Sequence, residues 1–167
     1  PSDDMCLAGA EIIFNLSASD ELIGKEAYRR QLVKQKSATN ACAYIYTASG
    51  FGESSTDLVF SGTAIISENG SLLATSERFS FKEQLIVSDI DEQRLQADRL
   101  RNSAFIIGNQ NPNKKNEFEI TSLNSLGANN IYSEPSNVTR AFAPHPFVPP
   151  EDEMTTRCNE IFSIQVG

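Results

Sequence analysis

The sequence predicts an α/β fold in which a mixed sheet is flanked by helices, and three observations lead to that prediction. Apolar strand-like runs at Glu11–Leu16 and Ala41–Ala48 enclose a helical pattern over Gly24–Asn40. The dipeptide Asn69-Gly70 joins two further strand-like runs, since it suits the positive φ angles of a tight hairpin turn. Strands that alternate with a helix and then form a hairpin give a sheet with both parallel and antiparallel pairs.

The first elements follow from local signals. Ser2-Asp3-Asp4 can cap a short helix through Ala8, because their side-chain oxygens accept the free N–H groups of a first turn. The strand Glu11–Leu16 is a nearly continuous apolar run, which is typical of burial on both faces. The apolar stripe predicted for the helix Gly24–Asn40 contains Ala27, Tyr28, Leu32 and Ala38.

The later elements are less regular. They are predicted, in chain order, as strands Leu58–Ser67, Ser71–Thr75 and Gln84–Asp89 and helices Asp91–Arg101 and Glu151–Val166. Between the last two helices, Ala141–Pro150 holds four of the seven prolines and is predicted to be an extended connector.

Composition and charge argue against some classes of binding partner and indicate a cellular compartment. The chain has 167 residues, a formal net charge of -8 and a pI near 4.7, which argues against nucleic acid or an anionic membrane as a partner. No apolar run is long enough to span a bilayer. Because Cys6, Cys42 and Cys158 are widely spaced and form no CxxC pair, we expect a cytoplasmic protein without a disulfide framework.

The turn after the first strand is the strongest candidate site. Ser17, Ser19 and Lys25 follow the strand where α/β proteins bind ligands, at its carboxyl end. A lysine in a first helical turn opposes the helix dipole unless it has a partner, and a ligand carboxylate would be such a partner. The alternative is that Ser17 or Ser19 only caps the helix and that Lys25 is solvated.

Other chemistry has weaker support. Cys6 lies among acidic residues, Cys42 in an apolar strand and Cys158 on an apolar helical stripe, so each is interpreted as structural. With His145 as the only histidine, neither a Cys/His dyad nor a metal site is expected. Gly50-Phe51-Gly52 is an incomplete phosphate-loop pattern, and a solvent loop or a subunit contact is the favoured interpretation.

Two motifs carry a family resemblance. The run Asn15–Ser19, with Ile23-Gly24-Lys25 and Arg29-Arg30, and the run Tyr44–Phe60 resemble the glutaminase domain of glutamine-dependent NAD+ synthetases. That domain belongs to the nitrilase (carbon–nitrogen hydrolase) superfamily. The match continues through the hairpin to Phe79, and the segment Arg157–Val166 resembles the first helix of the synthetase domain.

The resemblance implies an organisation. The chain would be an interior fragment that holds the C-terminal part of a nitrilase-like α-β-β-α sandwich. Residues 1–107 would be the C-terminal half of the glutaminase domain, 108–150 an irregular segment and Pro-rich linker, and 151–167 the first helix of the synthetase domain. Half of a sandwich exposes apolar strands, so we expect a homo-oligomer.

The resemblance also implies a function. The glutaminase domain would hydrolyse glutamine and supply ammonia for the ATP-dependent amidation of deamido-NAD+. Ser19 and Lys25 would bind the glutamine head group, with Lys25 pairing its α-carboxylate. No catalytic residue and no metal ligand is expected in this chain, since the nucleophilic cysteine should lie before residue 1 and the ATP and Mg2+ site beyond Gly167. A stand-alone nitrilase-type amidase and a non-catalytic assembly module are the alternatives.

Overall fold

The computed structural model describes residues 1–109, 118–119, 121, 138, 140, 142, 144–145 and 148–167. Its helices are α1 (Ser2–Leu7), α2 (Lys25–Thr39), α3 (Glu92–Arg101), α4 (Ser103–Asn109) and α5 (Met154–Val166). Its strands are β1 (Ile12–Ser17), β2 (Ala43–Ala48), β3 (Ala64–Glu68) and β4 (Ser71–Thr75). A single turn of 3-10 helix, Phe51–Glu53, follows β2.

The four described strands form one sheet in the order β1-β2-β3-β4. β1 and β2 are parallel, from Ile12 opposite Ala43 to Ser17 opposite Ala48, and α2 connects them. β3 is antiparallel to β2, and β4 is antiparallel to β3. The predicted mixed sheet is therefore confirmed. The carboxyl ends of β1 and β2 lie at one end of the sheet, and the Asn69-Gly70 turn lies at the other.

One face of the sheet carries the core. Its buried members are Cys6, Ile13, Val33, Cys42, Tyr44, Tyr46, Ala48 and Ile65. From α2 the buried residues are Arg29, Val33 and Ser37, at a spacing of one helical turn. The predicted apolar stripe is wrong, because Tyr28 and Leu32 are 65% and 39% exposed. The polar residues Arg29 and Ser37 take buried positions instead, because each forms a hydrogen bond there, Arg29 with Glu21 and Ser37 with Ser67.

β1 is buried on one side only. Ile13 is buried, whereas Phe14 and Leu16 are 70% and 85% exposed. Successive side chains of a strand point to opposite faces, so the exposed pair marks the face away from the core. The prediction of burial on both faces is wrong for the described residues, because these residues pack against only one face of β1.

The hairpin is confirmed. Asn69 and Gly70 have φ angles of 43° and 84°, and a type I′ turn needs positive φ at both of these positions. β3 begins at Ala64 rather than at Leu58.

After the hairpin, the sequence analysis predicts a strand, which is absent, and a helix, which is present. Gln84–Asp89 is not a strand, because it pairs with none of the four strands. The helix predicted at Asp91–Arg101 is present as α3. Asp91 caps it, and its carboxylate accepts a hydrogen bond of 2.9 Å from the Arg94 N–H.

The amino-terminal helix starts differently from the prediction. Pro1 is the N-cap of α1 and no side chain caps this helix. The Asp3 carboxylate instead accepts hydrogen bonds of 2.8 Å from both Lys36 and Asn40. The side chain expected to cap α1 therefore ties it to the carboxyl end of α2.

The carboxyl-terminal helix α5 begins at Met154 rather than at Glu151. Its apolar side chains Ile161 and Phe162 are 54% and 66% exposed. The predicted irregular segment and Pro-rich linker, 108–150, lies largely outside the described residues, so the boundaries near 107 and 150 stay predictions.

Candidate functional site

The candidate site lies on the turn of residues 18–24, between β1 and α2. At its start the Ser17 carbonyl accepts a hydrogen bond of 2.9 Å from the Ser49 N–H, which joins the ends of β1 and β2. At its end Gly24 is the N-cap of α2, with a φ of 83° that glycine adopts without strain. Because no side chain caps α2, the interpretation that Ser17 or Ser19 caps this helix is wrong.

Lys25 has a partner within the turn. Its Nζ lies 2.7 Å from Oδ1 of Asp20, and the hydrogen bond from Lys25 lowers the pKa of the Asp20 carboxyl. The Asp20 carboxylate therefore offsets the unfavourable interaction of Lys25 with the helix dipole. The partner that the sequence analysis sought in a ligand carboxylate is thus already present within the turn. A ligand carboxylate would share Lys25 with Asp20 or displace it.

Ser19 lies beside this ion pair. It is half-buried, and among the residues that the structure describes none hydrogen-bonds its hydroxyl. A serine hydroxyl has one donor and two acceptor positions, so it can contact an amide or a carboxylate. The structure thus places both predicted residues, Ser19 and Lys25, at the carboxyl end of β1. Their role in binding glutamine stays a prediction.

A buried ion cluster adjoins the turn, and the sequence analysis missed it. Glu21 Oε2 lies 2.8 Å from Arg29 Nη1, and Glu21 Oε1 lies 3.0 Å from Arg78 Nη2. The Glu21 and Arg29 side chains are only 6% and 5% exposed. The Arg29 guanidinium also lies over the ring of Tyr46, 5.7 Å from its centre. We refer to Glu21, Arg29 and Arg78 as the Glu21 cluster.

The partners of Glu21 in the cluster keep its carboxyl group ionised. Burial by itself would raise the pKa of Glu21, but the hydrogen bond from Ser61 and the charges of Arg29 and Arg78 outweigh it and lower that pKa. Glu21 is therefore a carboxylate at neutral pH. The sequence analysis named Arg29 only as part of the motif that carries the family resemblance. No local pattern pairs Glu21 with Arg78, which lies beyond the hairpin.

In the Gly50–Asp57 loop, serine hydroxyl groups accept hydrogen bonds from nearby backbone N–H groups. Ser54 Oγ accepts a hydrogen bond of 3.1 Å from the Phe60 N–H, and Ser55 Oγ accepts one of 3.2 Å from the Leu58 N–H. Both hydroxyl oxygens therefore help to hold the loop closed. The interpretation as a solvent loop or a subunit contact stays a prediction.

A groove of about 620 Å3 lies beside that loop, between the sheet and residues 80–86. Its walls include Ile45 and Ile66 from the strands and Phe51 and Phe81, whose rings meet edge to face at 4.5 Å. Neither Ser19 nor Lys25 lines it. The groove is therefore separate from the candidate site.

The three cysteines are free thiols. Cys6 and Cys42 are fully buried, which confirms their interpretation as core residues. The hydrogen bond with Cys6, together with burial, raises the pKa of Cys42, so that residue is not a thiolate at neutral pH. Cys158 is exposed on α5, so among the described residues nothing packs over it and its interpretation as a structural residue stays a prediction.

The part of the chain that the structure describes supports neither metal binding nor insertion of a helix across a membrane. No group of three His, Cys, Asp or Glu side chains in this part of the chain could hold a metal ion. In the same residues, no helix combines the length and the apolar character needed to cross a membrane.

Comparison with known proteins places these features in context. No model of a protein family matches the chain. The chain is 37% identical, over 172 residues, to the glutamine-dependent NAD(+) synthetase of Mycobacterium tuberculosis strain H37Rv. It is 36% identical, over 175 residues, to the protein of the same name from Mycobacterium leprae. Each alignment covers 100% of this chain and 24% of the relative.

A solved structure supports the fold. The carbon-nitrogen hydrolase from Helicobacter pylori G27 is similar with a TM-score of 0.52 and 21% identity, over 64% of this chain and 40% of that one. A likeness at this level of identity concerns the fold alone, and it agrees with the predicted nitrilase-like architecture. These synthetases match along the whole chain, so the chain is similar to one segment of them, and it spans 24% of the length of the curated relatives it matches.

Proposed function

We propose that the chain works as part of a glutamine-dependent NAD+ synthetase, in whose glutaminase domain it forms the glutamine-recognition edge. Glutamine would be hydrolysed there, and its ammonia would amidate deamido-NAD+ in an ATP-dependent reaction. The observation that carries the proposal is the 36–37% identity to synthetases along the whole chain. The placement of Ser19 and Lys25 together at a strand end supports it.

Within this function Lys25 would pair the α-carboxylate of glutamine, and Ser19 would hydrogen-bond the same head group. The turn already holds one carboxylate, Asp20, at 2.7 Å from Lys25 Nζ, so the lysine is positioned to bind a carboxylate. A lysine ammonium has three donors and can bind both at once. The carboxylate of glutamine would then be recognised by charge and its orientation by the Ser19 hydroxyl.

Catalysis would come from residues supplied by other parts of the protein. In the proposal this chain holds no cofactor, and ATP with Mg2+ binds in the synthetase domain. Cys6 and Cys42 are fully buried, and the proposal places the nucleophile outside this chain. We expect the isolated 167-residue chain to release no ammonia from glutamine.

Assembly and location are part of the same proposal. The exposed apolar residues Phe14 and Leu16 on β1 support burial of this face in a homo-oligomer. The free thiols of all three cysteines agree with a cytoplasmic location.

The test is steady-state NAD+ formation by the full-length synthetase, with glutamine or with ammonium chloride as the nitrogen source. Ser19→Ala and Lys25→Ala should each raise KM for glutamine about tenfold or more, as expected when a hydrogen bond to a charged group is lost. The ammonia-driven rate should not change. Lys36→Ala is the matched control, because Lys36 also lies on α2 in an ion pair with an aspartate, Asp3.

Three results would contradict the proposal. A wild-type protein that forms no NAD+ from glutamine and ATP would exclude the synthetase. Amide hydrolysis without ATP-dependent NAD+ formation would instead indicate the stand-alone amidase. An unchanged KM in both Ser19→Ala and Lys25→Ala would remove these residues from the glutamine site.

A further inference from the structure

The 18–24 turn has little apolar packing of its own. Leu22 is 61% exposed, and Ile23 is completely exposed. One backbone hydrogen bond, of 2.7 Å from the Glu21 N–H to the Val59 carbonyl, ties its middle to the rest of the chain. The Glu21 side chain, in contrast to those of Leu22 and Ile23, is buried and only 6% exposed. The conformation of the turn therefore depends on what holds Glu21.

The Glu21 side chain pairs with Arg29 on α2 and with Arg78 in the segment after β4. Arg29 lies on the second turn of α2 and, over the Tyr46 ring, against β2. Arg78 follows β4, where the adjacent Phe79 N–H donates a hydrogen bond of 2.8 Å to the Ser61 carbonyl. A buried carboxylate is stable only if partners of this kind compensate its lost hydration. Glu21 thus fastens the turn to α2 and to the segment after β4.

The two arginines hold Glu21 differently. Arg29 donates a hydrogen bond of 2.8 Å to Oε2. Arg78 lies within ion-pair distance of Oε1, but Oε1 and Arg78 Nε make no hydrogen bond to any described residue. Arg29 therefore fixes the direction of the carboxylate, and Arg78 contributes mainly charge.

A chain of contacts leads from this cluster to Lys25. The same Arg29 guanidinium that binds Glu21 also donates through Nη2 to the Asp20 carbonyl, at 3.4 Å. The Asp20 carboxylate in turn holds Lys25 at 2.7 Å. The backbone of Asp20 and its neighbour Ser19 is therefore located by a contact that Glu21 orients.

We propose that Glu21 is a positioning residue for glutamine binding, which acts by orienting Arg29 and so holding Ser19 and Lys25 in the geometry that the head group requires. Glu21 itself does not touch the substrate. The inference rests on the proposed function, because it assigns a support to the same glutamine site. A displacement of about 1 Å in a binding group can change catalysis about a hundredfold, so such support is a measurable part of recognition.

The experiment compares Glu21→Gln and Glu21→Asp in the full-length synthetase, with glutamine and then ammonium chloride as the nitrogen source. Gln keeps the size of the side chain and removes its charge, so KM for glutamine should rise about tenfold or more. Asp keeps the charge and should restore part of the affinity. Ammonia-driven NAD+ formation should stay at the wild-type rate in both, which a general loss of folded protein would not allow.

Glu68→Gln is the matched control. Glu68 is also a buried glutamate held by an arginine, with Oε1 2.8 Å from Arg140 Nη1, but it lies at the opposite end of the strands. Its KM for glutamine should equal that of the wild type. If Glu21→Gln fails to fold, Arg78→Gln tests the same cluster from its more exposed member, whose side chain is 34% exposed, and it should also raise KM.

The outcomes separate the two proposals. An unchanged KM for glutamine in Glu21→Gln, or in Arg78→Gln where that variant is used, overturns the positioning role while the synthetase assignment stands. A rise that Glu68→Gln reproduces, or a parallel fall in the ammonia-driven rate, also overturns it, because the effect is then one of stability. A wild-type protein that cannot use glutamine overturns both.

Discussion

Glu21 and Glu68 are two buried glutamates that the fold treats in different ways. Glu21 follows the carboxyl end of β1, in a turn whose next two residues are exposed. Glu68 ends β3 opposite Ala43, so it lies at the amino end of β2. Both carboxylates are paired with arginine: Glu21 with Arg29 and Arg78, Glu68 with Arg140. The contacts are alike, but the surroundings are not.

The difference lies in what each glutamate fastens. Glu68 accepts hydrogen bonds from the Asp91 N–H at the start of α3 and from Arg140, which comes 72 positions later in the chain. It joins distant segments to the sheet, and no candidate site residue lies in that network. Glu21 instead fastens a short turn that carries Ser19 and Lys25. A buried ion pair can thus hold the fold together or hold a binding turn, and only its neighbours tell which.

The largest effect expected from this comparison is on stability, at Glu68. Glu68→Ala leaves Arg140, whose side chain is 14% exposed, without its carboxylate. Breaking one partner of a buried ion pair costs about 3–5 kcal/mol, so the free energy of unfolding should fall by that amount. Urea denaturation followed by circular dichroism measures it. Glu77→Ala, at an exposed glutamate, is the control and should change stability by less than about 0.5 kcal/mol. A loss below about 1 kcal/mol at Glu68 would show that Arg140 is not anchored there.

A smaller effect should separate the two arginines of the Glu21 cluster. Arg29→Lys loses the planar guanidinium that reaches Glu21 and the Asp20 carbonyl together, so it should cost about 1.5–3 kcal/mol of unfolding free energy. Arg78→Lys keeps the charge, which is the main contribution of that more exposed residue, and should cost less than about 1 kcal/mol. Equal losses in the two variants, measured by the same denaturation, would contradict the different roles assigned to them.

The same contrast explains what could be predicted from the sequence. The sheet, the Asn69-Gly70 hairpin and the helix Glu92–Arg101 depend on local patterns, and each was located to within a few residues except the start of β3. Which side chains are buried is harder to predict from the sequence than where the elements lie. β1 has the composition of a strand that is buried on both faces, but Phe14 and Leu16 are exposed, because burial also depends on what covers the sheet.

In the candidate site, too, some residues follow from a local motif and others only from the fold. Ser19 and Lys25 lie in one motif and were found from it, first through their position after a strand and then through the family resemblance. The partner of Lys25, Asp20, is five residues away and was overlooked because the pattern alone does not orient either side chain. The Glu21 cluster needs Arg78, which the folded hairpin brings to it. Contacts of that kind follow from the fold and not from any local spacing.

The smallest effect expected is the pH dependence of the Glu21 cluster. The folded-state pKa of Glu21 is lowered by Ser61, Arg29 and Arg78 despite burial, whereas an unfolded glutamate has a pKa of about 4.3. A lowered folded pKa adds stability that is fully present above the unfolded pKa and is lost as pH falls through the folded one. The difference in unfolding free energy between wild type and Glu21→Gln should therefore be constant above about pH 5 and shrink below it. Asp3, whose pKa is also lowered, pairs with Lys36 and Asn40 rather than with the Glu21 cluster, so its titration cancels in this difference. Urea denaturation between pH 3 and pH 7 measures it, and a difference that grew on acidification would mean that the cluster does not stabilise the Glu21 carboxylate.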